Sequence, residues 1–121
     1  MEWQIKMIYR KKSYKINPDK LKQFNDFFHH YLYPNQIKHG AKLIGRWVNE
    51  LNDKIEAIWQ YESIEQYEQI EIMIRESELH LKAKEKRAQL GELFIESHQE
   101  FLTSTSPIGT YELPKHYVLR E

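Results

Sequence analysis

Between Ala41 and Glu62 the chain alternates apolar and polar residues in two runs, parted by Leu51-Asn52-Asp53. A period of two marks half-buried strands, since successive side chains point to opposite faces. The first run, Ala41 to Asn49, sends Leu43, Gly45 and Trp47 one way and Ile44, Arg46 and Val48 the other. The second, Lys54 to Glu62, puts Ile55, Ala57, Trp59 and Tyr61 on one face. A short polar turn between two strands implies an antiparallel pair.

The flanking segments read as helices. Asn17-Pro18-Asp19 opens one of them: Asn17 caps, Pro18 suits the first helical position and Asp19 meets the positive end of the dipole. Leu21, Phe24, Phe27, Phe28, Tyr31 and Leu32 follow at helical spacing, and Pro34 is expected to end or bend the helix. Ser63 and Gln66 form a capping box for a second helix, striped by Ile64, Tyr67, Ile70 and Ile74. The polar patch Glu76 to Glu78 interrupts it, helical spacing resumes over Leu79 to Leu90, and Gly91 stops it.

Strands are expected at both ends of this series. Residues 3–10 alternate, with Trp3, Ile5, Met7 and Tyr9 on one side and Ile8 and Arg10 on the other, before a polar turn or bulge at Arg10 to Ser13. Leu93 to Thr105 supplies a fourth strand, with Ile95 and Phe101 on one face and His98, Glu100 and Leu102 on the other. The order strand, helix, strand, strand, helix, strand is an α+β, ferredoxin-like βαββαβ arrangement with a four-stranded antiparallel sheet. Residues 1–105 form this domain, and residues 106–121 are expected to be an extended C-terminal arm.

Composition narrows the function. With 121 residues the chain is one domain in size and can bury a core without staples. Lysine plus arginine balances aspartate plus glutamate at 18 each, which disfavours generic nucleic-acid binding. Cysteine is absent, removing thiolate metal sites and cysteine nucleophiles. The first ten residues hold no apolar stretch of signal-peptide type, and no run approaches the ~20 residues of a membrane span. A cytoplasmic protein with no membrane partner is the expectation.

One sheet face is expected to collect Trp3, Ile5, Met7, Leu43, Trp47, Ile55, Ala57, Trp59 and Phe101 beneath the helices. The other mixes Ile8, Ile44, Val48, Ile58 and Leu102 with Lys6, Arg46, Gln60, His98 and Glu100. A face of that kind suits a partner, and the simplest partner is a second copy related by a two-fold axis. The space between the sheets could hold a small-molecule ligand; the plainer account is a packed dimer core with a few ion pairs.

The segment His39-Gly40-Ala41-Lys42-Leu43-Ile44-Gly45-Arg46-Trp47, followed by Ile58-Trp59-Gln60-Tyr61-Glu62, resembles the core pattern of the NIPSNAP family. The resemblance runs over roughly residues 3–105. It implies a homodimeric α/β barrel of ferredoxin-like subunits, a group that includes small monooxygenases and haem-degrading enzymes. It supplies no settled catalytic residues.

Candidate roles therefore come from the residues themselves. Arg46 and Gln60 on the mixed face could bind a substrate, Arg46 by gripping a carboxylate, while His98 and Glu100 could move protons. His39, beside Gly40, could line the mouth of the site; its plainer role is a hydrogen bond to loop backbone. Adjacent His29 and His30 point in different directions on a helix and cannot readily chelate one metal, so no metal site is expected. No haem signature, phosphate loop or nucleophile elbow is present, and the cofactor stays open. The expected function is a NIPSNAP-like barrel that binds a small molecule or catalyses its cofactor-independent oxygenation or isomerisation. The alternative is a non-catalytic interaction protein.

Overall fold

The protein is described by a computed structural model covering residues 6–106. Its sheet has four antiparallel strands: β1 (Ile8–Lys15), β2 (Lys42–Val48), β3 (Lys54–Tyr61) and β4 (Glu96–Leu102), in the order β2-β3-β1-β4. That is the ferredoxin-like order. The β2–β3 hairpin turns as its residues require. Asn52 takes the left-handed conformation at φ 60°, and the Asn49 side chain accepts from the Asp53 and Lys54 amides.

A continuous helical rod runs from Pro18 to Lys38. It comprises a 3-10 turn (Pro18–Lys20), α1 (Leu21–Phe27), a π-helical stretch (Phe28–Leu32) and α2 (Tyr33–Lys38). Asn17 caps it, accepting from the Asp19 amide at 3.0 Å. Of the two outcomes expected at Pro34, ending the helix is corrected: helix continues past it to Lys38. The wide π turn immediately upstream lets the chain absorb a residue that has no N–H to donate. His29 and His30 each donate from Nδ1 to the carbonyl four residues earlier, at 2.8 and 2.7 Å.

After β3, Ser63 caps α3 (Ile64–Arg75), and Ser77 caps α4 (Glu78–Leu90), which Gly91 ends at φ 77°. The Ser63 hydroxyl accepts from the Gln66 amide, as the capping box requires. The core falls into two clusters under these helices. Phe28, Trp59, Tyr61, Ile70 and Ile74 build one, and Ile16, Phe24, Phe27, Ile55 and Leu93 the other.

Two phase corrections decide where the site lies. β1 runs straight through the expected turn at Arg10–Ser13. Its pairing of Arg10 with Trp59, Lys12 with Ala57 and Tyr14 with Ile55 brings Ile8, Arg10, Lys12 and Tyr14 to the helix side. Trp3 and Ile5 lie outside the described residues, as do residues 107–121 of the expected arm. In β2 a bulge at Ile44 shifts the register between Leu43 and Gly45. Leu43, Arg46 and Val48 therefore share the helix side, while Gly45 and Trp47 face outward. A single extra residue reverses every side chain beyond it.

Candidate functional site

Pairing the strands row by row maps the covered face. Phe101, Arg10, Trp59 and Leu43 make one row, and Gln99, Lys12, Ala57 and Arg46 the next. Lys12 and Arg46 thus flank Ala57, whose methyl group leaves a hollow between them. Two strand spacings set their backbones about 10 Å apart. Over this floor lies a cavity of about 170 Å³. Tyr31, Leu32, Asn35 and Gln36 of the first helical rod roof it, with Ile74 of α3 and His80 and Ala83 of α4. Its walls come from both core clusters.

The lining carries three cationic side chains, Arg10, Lys12 and Arg46, and no carboxylate. Arg46 donates through Nη1 to Asn25 Oδ1 at 2.6 Å and lies over the Phe28 ring; its Nη2 is buried without a partner. Arg10, only 6% exposed, donates through Nη1 to Gln99 Oε1 at 3.2 Å, and its Nε has no partner. Burial pulls Arg46 down to about 10, so it remains a cation at neutral pH. Burial lowers Lys12 as well, Arg10 adding to the effect and Glu71 opposing it. Tyr14 is raised by burial against the opposing pull of Arg10, Arg46 and Arg87. A lining that carries cations and no carboxylate suits an anion, with Glu71 outside it offsetting part of the charge at Lys12.

The sequence-derived candidates do not meet in one place. Arg46 lines the cavity. Gln60, His98 and Glu100 are on the opposite, open face, so the expectation that Arg46 shares a face with them is corrected by the bulge. There Glu100 lies 3.9 Å from Lys11, which also pairs with Glu56, and His98 lies 3.5 Å from Glu96. His39 ends α2, its Nδ1 donating to the Asn35 carbonyl at 2.8 Å, and it is not part of the cavity lining. Trp47 and Trp59, expected on one face, are on opposite ones: Trp59 is buried, whereas Trp47 is 53% exposed with its indole folded over Gly45.

Arg10, Lys12, Asn35 and His80 were missed as site residues. Arg10 and Lys12 were legible only as polar interruptions of a strand, and the Gly45 that accompanies the bulge was the available clue to Arg46's true face. A shallower hollow of about 300 Å³ near the strand ends takes in Ser13, Lys15, Asp53, Lys54, Glu96 and His98. Its acidic and basic groups balance, so it lacks the unmatched charge of the covered cavity. Among the described residues there is no cluster of three His, Asp or Glu side chains able to hold a metal, and no helix long and apolar enough to cross a membrane.

A family model for NIPSNAP proteins matches residues 9–107. No curated protein is significantly similar. A NIPSNAP family protein of unknown function from Agrobacterium tumefaciens superposes with a TM-score of 0.74 at 15% identity, covering 87% of this chain and 96% of its own. A candidate antibiotic biosynthesis monooxygenase from Caulobacter crescentus gives 0.61 at 14% identity over 83% and 91%. A dimeric ferredoxin-like protein from an uncultured marine organism gives 0.58 at 16% over 84% and 90%. At these identities the likeness is one of fold.

Proposed function

The chain belongs to the NIPSNAP family, and from that premise we propose that it is a small-molecule-binding protein, built as a homodimeric α/β barrel, whose ligand occupies the cavity between sheet and helices. The observation that carries this reading is a cavity of about 170 Å³ between sheet and helices whose lining holds Arg10, Lys12 and Arg46 and no carboxylate, against the apolar walls of Phe28, Trp59 and Ile74.

The open sheet face supports the dimer. It presents Trp47, Ile58 and Leu102 among Tyr9, Lys11, Gln60 and Glu100, and a related fold is described as dimeric. In this reading Gln60, His98 and Glu100 serve the interface rather than proton transfer in the cavity. The chemistry best suited to the cavity is proton abstraction beside a carbonyl. That step opens both isomerisation and cofactor-independent oxygenation, and the enolate it forms would be stabilised by Arg10, Lys12 and Arg46. His80 is the histidine on the cavity wall placed to exchange the proton.

Native mass spectrometry of freshly purified protein tests the reading. A dimer carrying a bound mass that Arg46→Met releases is the expected result. A monomer at micromolar concentration overturns the barrel. A dimer without bound mass favours a non-catalytic interaction protein.

A further inference from the structure

Every residue of β4, from Glu96 to Leu102, is exposed, which holds for no other strand among the described residues. The strand lies at one side of the sheet and is paired there through β1 alone. Its outer row of backbone N–H and C=O groups is therefore open, an edge that folded proteins normally cover or blunt. Its helix-side residues are Ser97, Gln99 and Phe101. Phe101 meets the Tyr67 ring edge-on at 5.0 Å yet stays 38% exposed, as does Leu102 on the opposite face.

The chain bends as soon as it leaves β4. Ser104 Oγ accepts from the Ser106 amide at 3.1 Å, a side-chain turn of the kind that reverses a chain. Pro107 follows, and Pro107 and Pro114 bound the run Ile108-Gly109-Thr110-Tyr111-Glu112-Leu113. Six extended residues span about 20 Å, close to the length of β4, and Pro114 has no N–H with which to continue a ladder. The connection Thr103 to Pro107 has the length of an ordinary hairpin loop.

We propose that residues 108–113 pair antiparallel with the free edge of β4 in their own chain, as a fifth strand. With residues 103–107 as the loop, Ile108 lies opposite Leu102, Thr110 opposite Glu100 and Glu112 opposite His98, all on the open face. On the helix side Gly109 lies opposite Phe101, Tyr111 opposite Gln99 and Leu113 opposite Ser97. This register joins two apolar residues at one end of the open face and sets an acid beside a histidine at the other. On the helix side Gly109 leaves the Phe101 ring uncrowded, while Tyr111 and Leu113 cover β4 where its side chains stand exposed. A slip of one residue would send Tyr111 and Leu113 to the other face. A second copy offers the same edge, but the short tether gives the chain's own edge the higher effective concentration.

Because the chain has no cysteine, paired replacements report the contact directly. Oxidised Ser97→Cys/Leu113→Cys should form an intrachain disulfide, since directly opposed strand residues fall within disulfide reach. Ser97→Cys/Tyr117→Cys, displaced by about 13 Å along an extended chain, should stay reduced under the same oxidant. Non-reducing mass spectrometry reads both. Hydrogen exchange gives an independent reading: Thr110→Pro/Tyr111→Pro should speed exchange in β4 peptides at least tenfold and leave β3 unchanged. Both positions are replaced because successive N–H groups alternate in direction, so one of the two must face β4. Circular dichroism of each variant reports that it is folded. Disulfide-linked dimers in place of the intrachain bridge would put the segment on a second copy and overturn the own-chain assignment. Equal bridging in both cysteine pairs, bridging in neither, or β4 exchange indifferent to the prolines would overturn the pairing itself.

Discussion

Arg46 lies across the ring of Phe28, its guanidinium carbon 4.2 Å from the ring centroid, while Nη1 donates to Asn25 Oδ1. A residue of edge strand β2 is thereby locked against the helical rod, its planar head held by a stack and a hydrogen bond. Its Nη2 is buried without a partner. Lysine cannot reproduce that geometry, because an ammonium neither stacks nor offers a second fixed donor.

Arg46→Lys should therefore keep the charge and the fold but lose about 1 kcal/mol of stability, because the stack on Phe28 and the hydrogen bond to Asn25 go with the guanidinium. Urea unfolding of the variant checks this. Unchanged stability would show that charge alone, without orientation, is what Arg46 supplies.

Lys12 occupies the covered face beside Arg10, and burial is the largest influence depressing its pKa. A depressed folded pKa means that the folded state holds the proton less tightly than the unfolded chain. Wild-type stability is therefore reduced at neutral pH and recovers as pH rises from the folded pKa through the ordinary 10.5. Lys12→Met should raise stability near pH 7 by no more than about 1 kcal/mol, because the side chain is only partly buried. Urea unfolding should show the gain shrinking as pH rises from the folded pKa toward 10.5. A gain that does not shrink would assign it to packing instead of charge.

Tyr61 is 1% exposed, and burial pushes its pKa up to about 12 against the opposing pull of Arg10. Here the folded state keeps a proton that the unfolded chain releases from pH 10 upward. Its contribution is present in full below pH 10 and is lost as pH rises toward 12. Tyr61→Phe should be neutral or slightly stabilising at pH 8. At pH 11 it should be spared about 1 kcal/mol of the loss that wild type suffers. Denaturant melts at the two pH values measure the difference, and identical alkaline losses in both proteins would contradict it.

Trp47 projects from the open face with its indole over Gly45, where a Cβ would overlap the ring. For the proposed dimer, Trp47→Glu should give a monomer at micromolar concentration, with helix content unchanged by circular dichroism. Gly45→Ala should displace the indole and weaken the dimer at least tenfold without abolishing the fold. Sedimentation velocity reads both. A Trp47→Glu protein that remains fully dimeric would remove this face from the interface.

Strand β3, with Ile55, Ala57, Trp59 and Tyr61 buried, was readable because its alternation is complete. The helix caps at Asn17 and Ser63, and the stop at Gly91, sit where local chemistry puts them; each depends on neighbours a few residues away. β1 was mis-phased because Arg10 and Lys12 point inward, where hydrophobic alternation predicts apolar residues. The residues that build the candidate site are the ones that break the pattern.

From local patterning alone, the protein's element order, its ferredoxin-like class and most helix boundaries follow, because capping and periodicity act within a turn or two of the chain. The faces of the strands do not follow from it. They depend on the register between β1 and β3, set by long-range pairing, and on one bulged residue, Ile44, whose effect appears only when β2 is laid against β3. That register and bulge gather Arg10, Lys12 and Arg46 beneath the helices and turn Trp47 outward. Only tertiary packing could bury Arg10 beside Trp59 and half-bury Lys12 and Arg46 on either side of Ala57, since desolvation is a property of the assembled core and of no single segment.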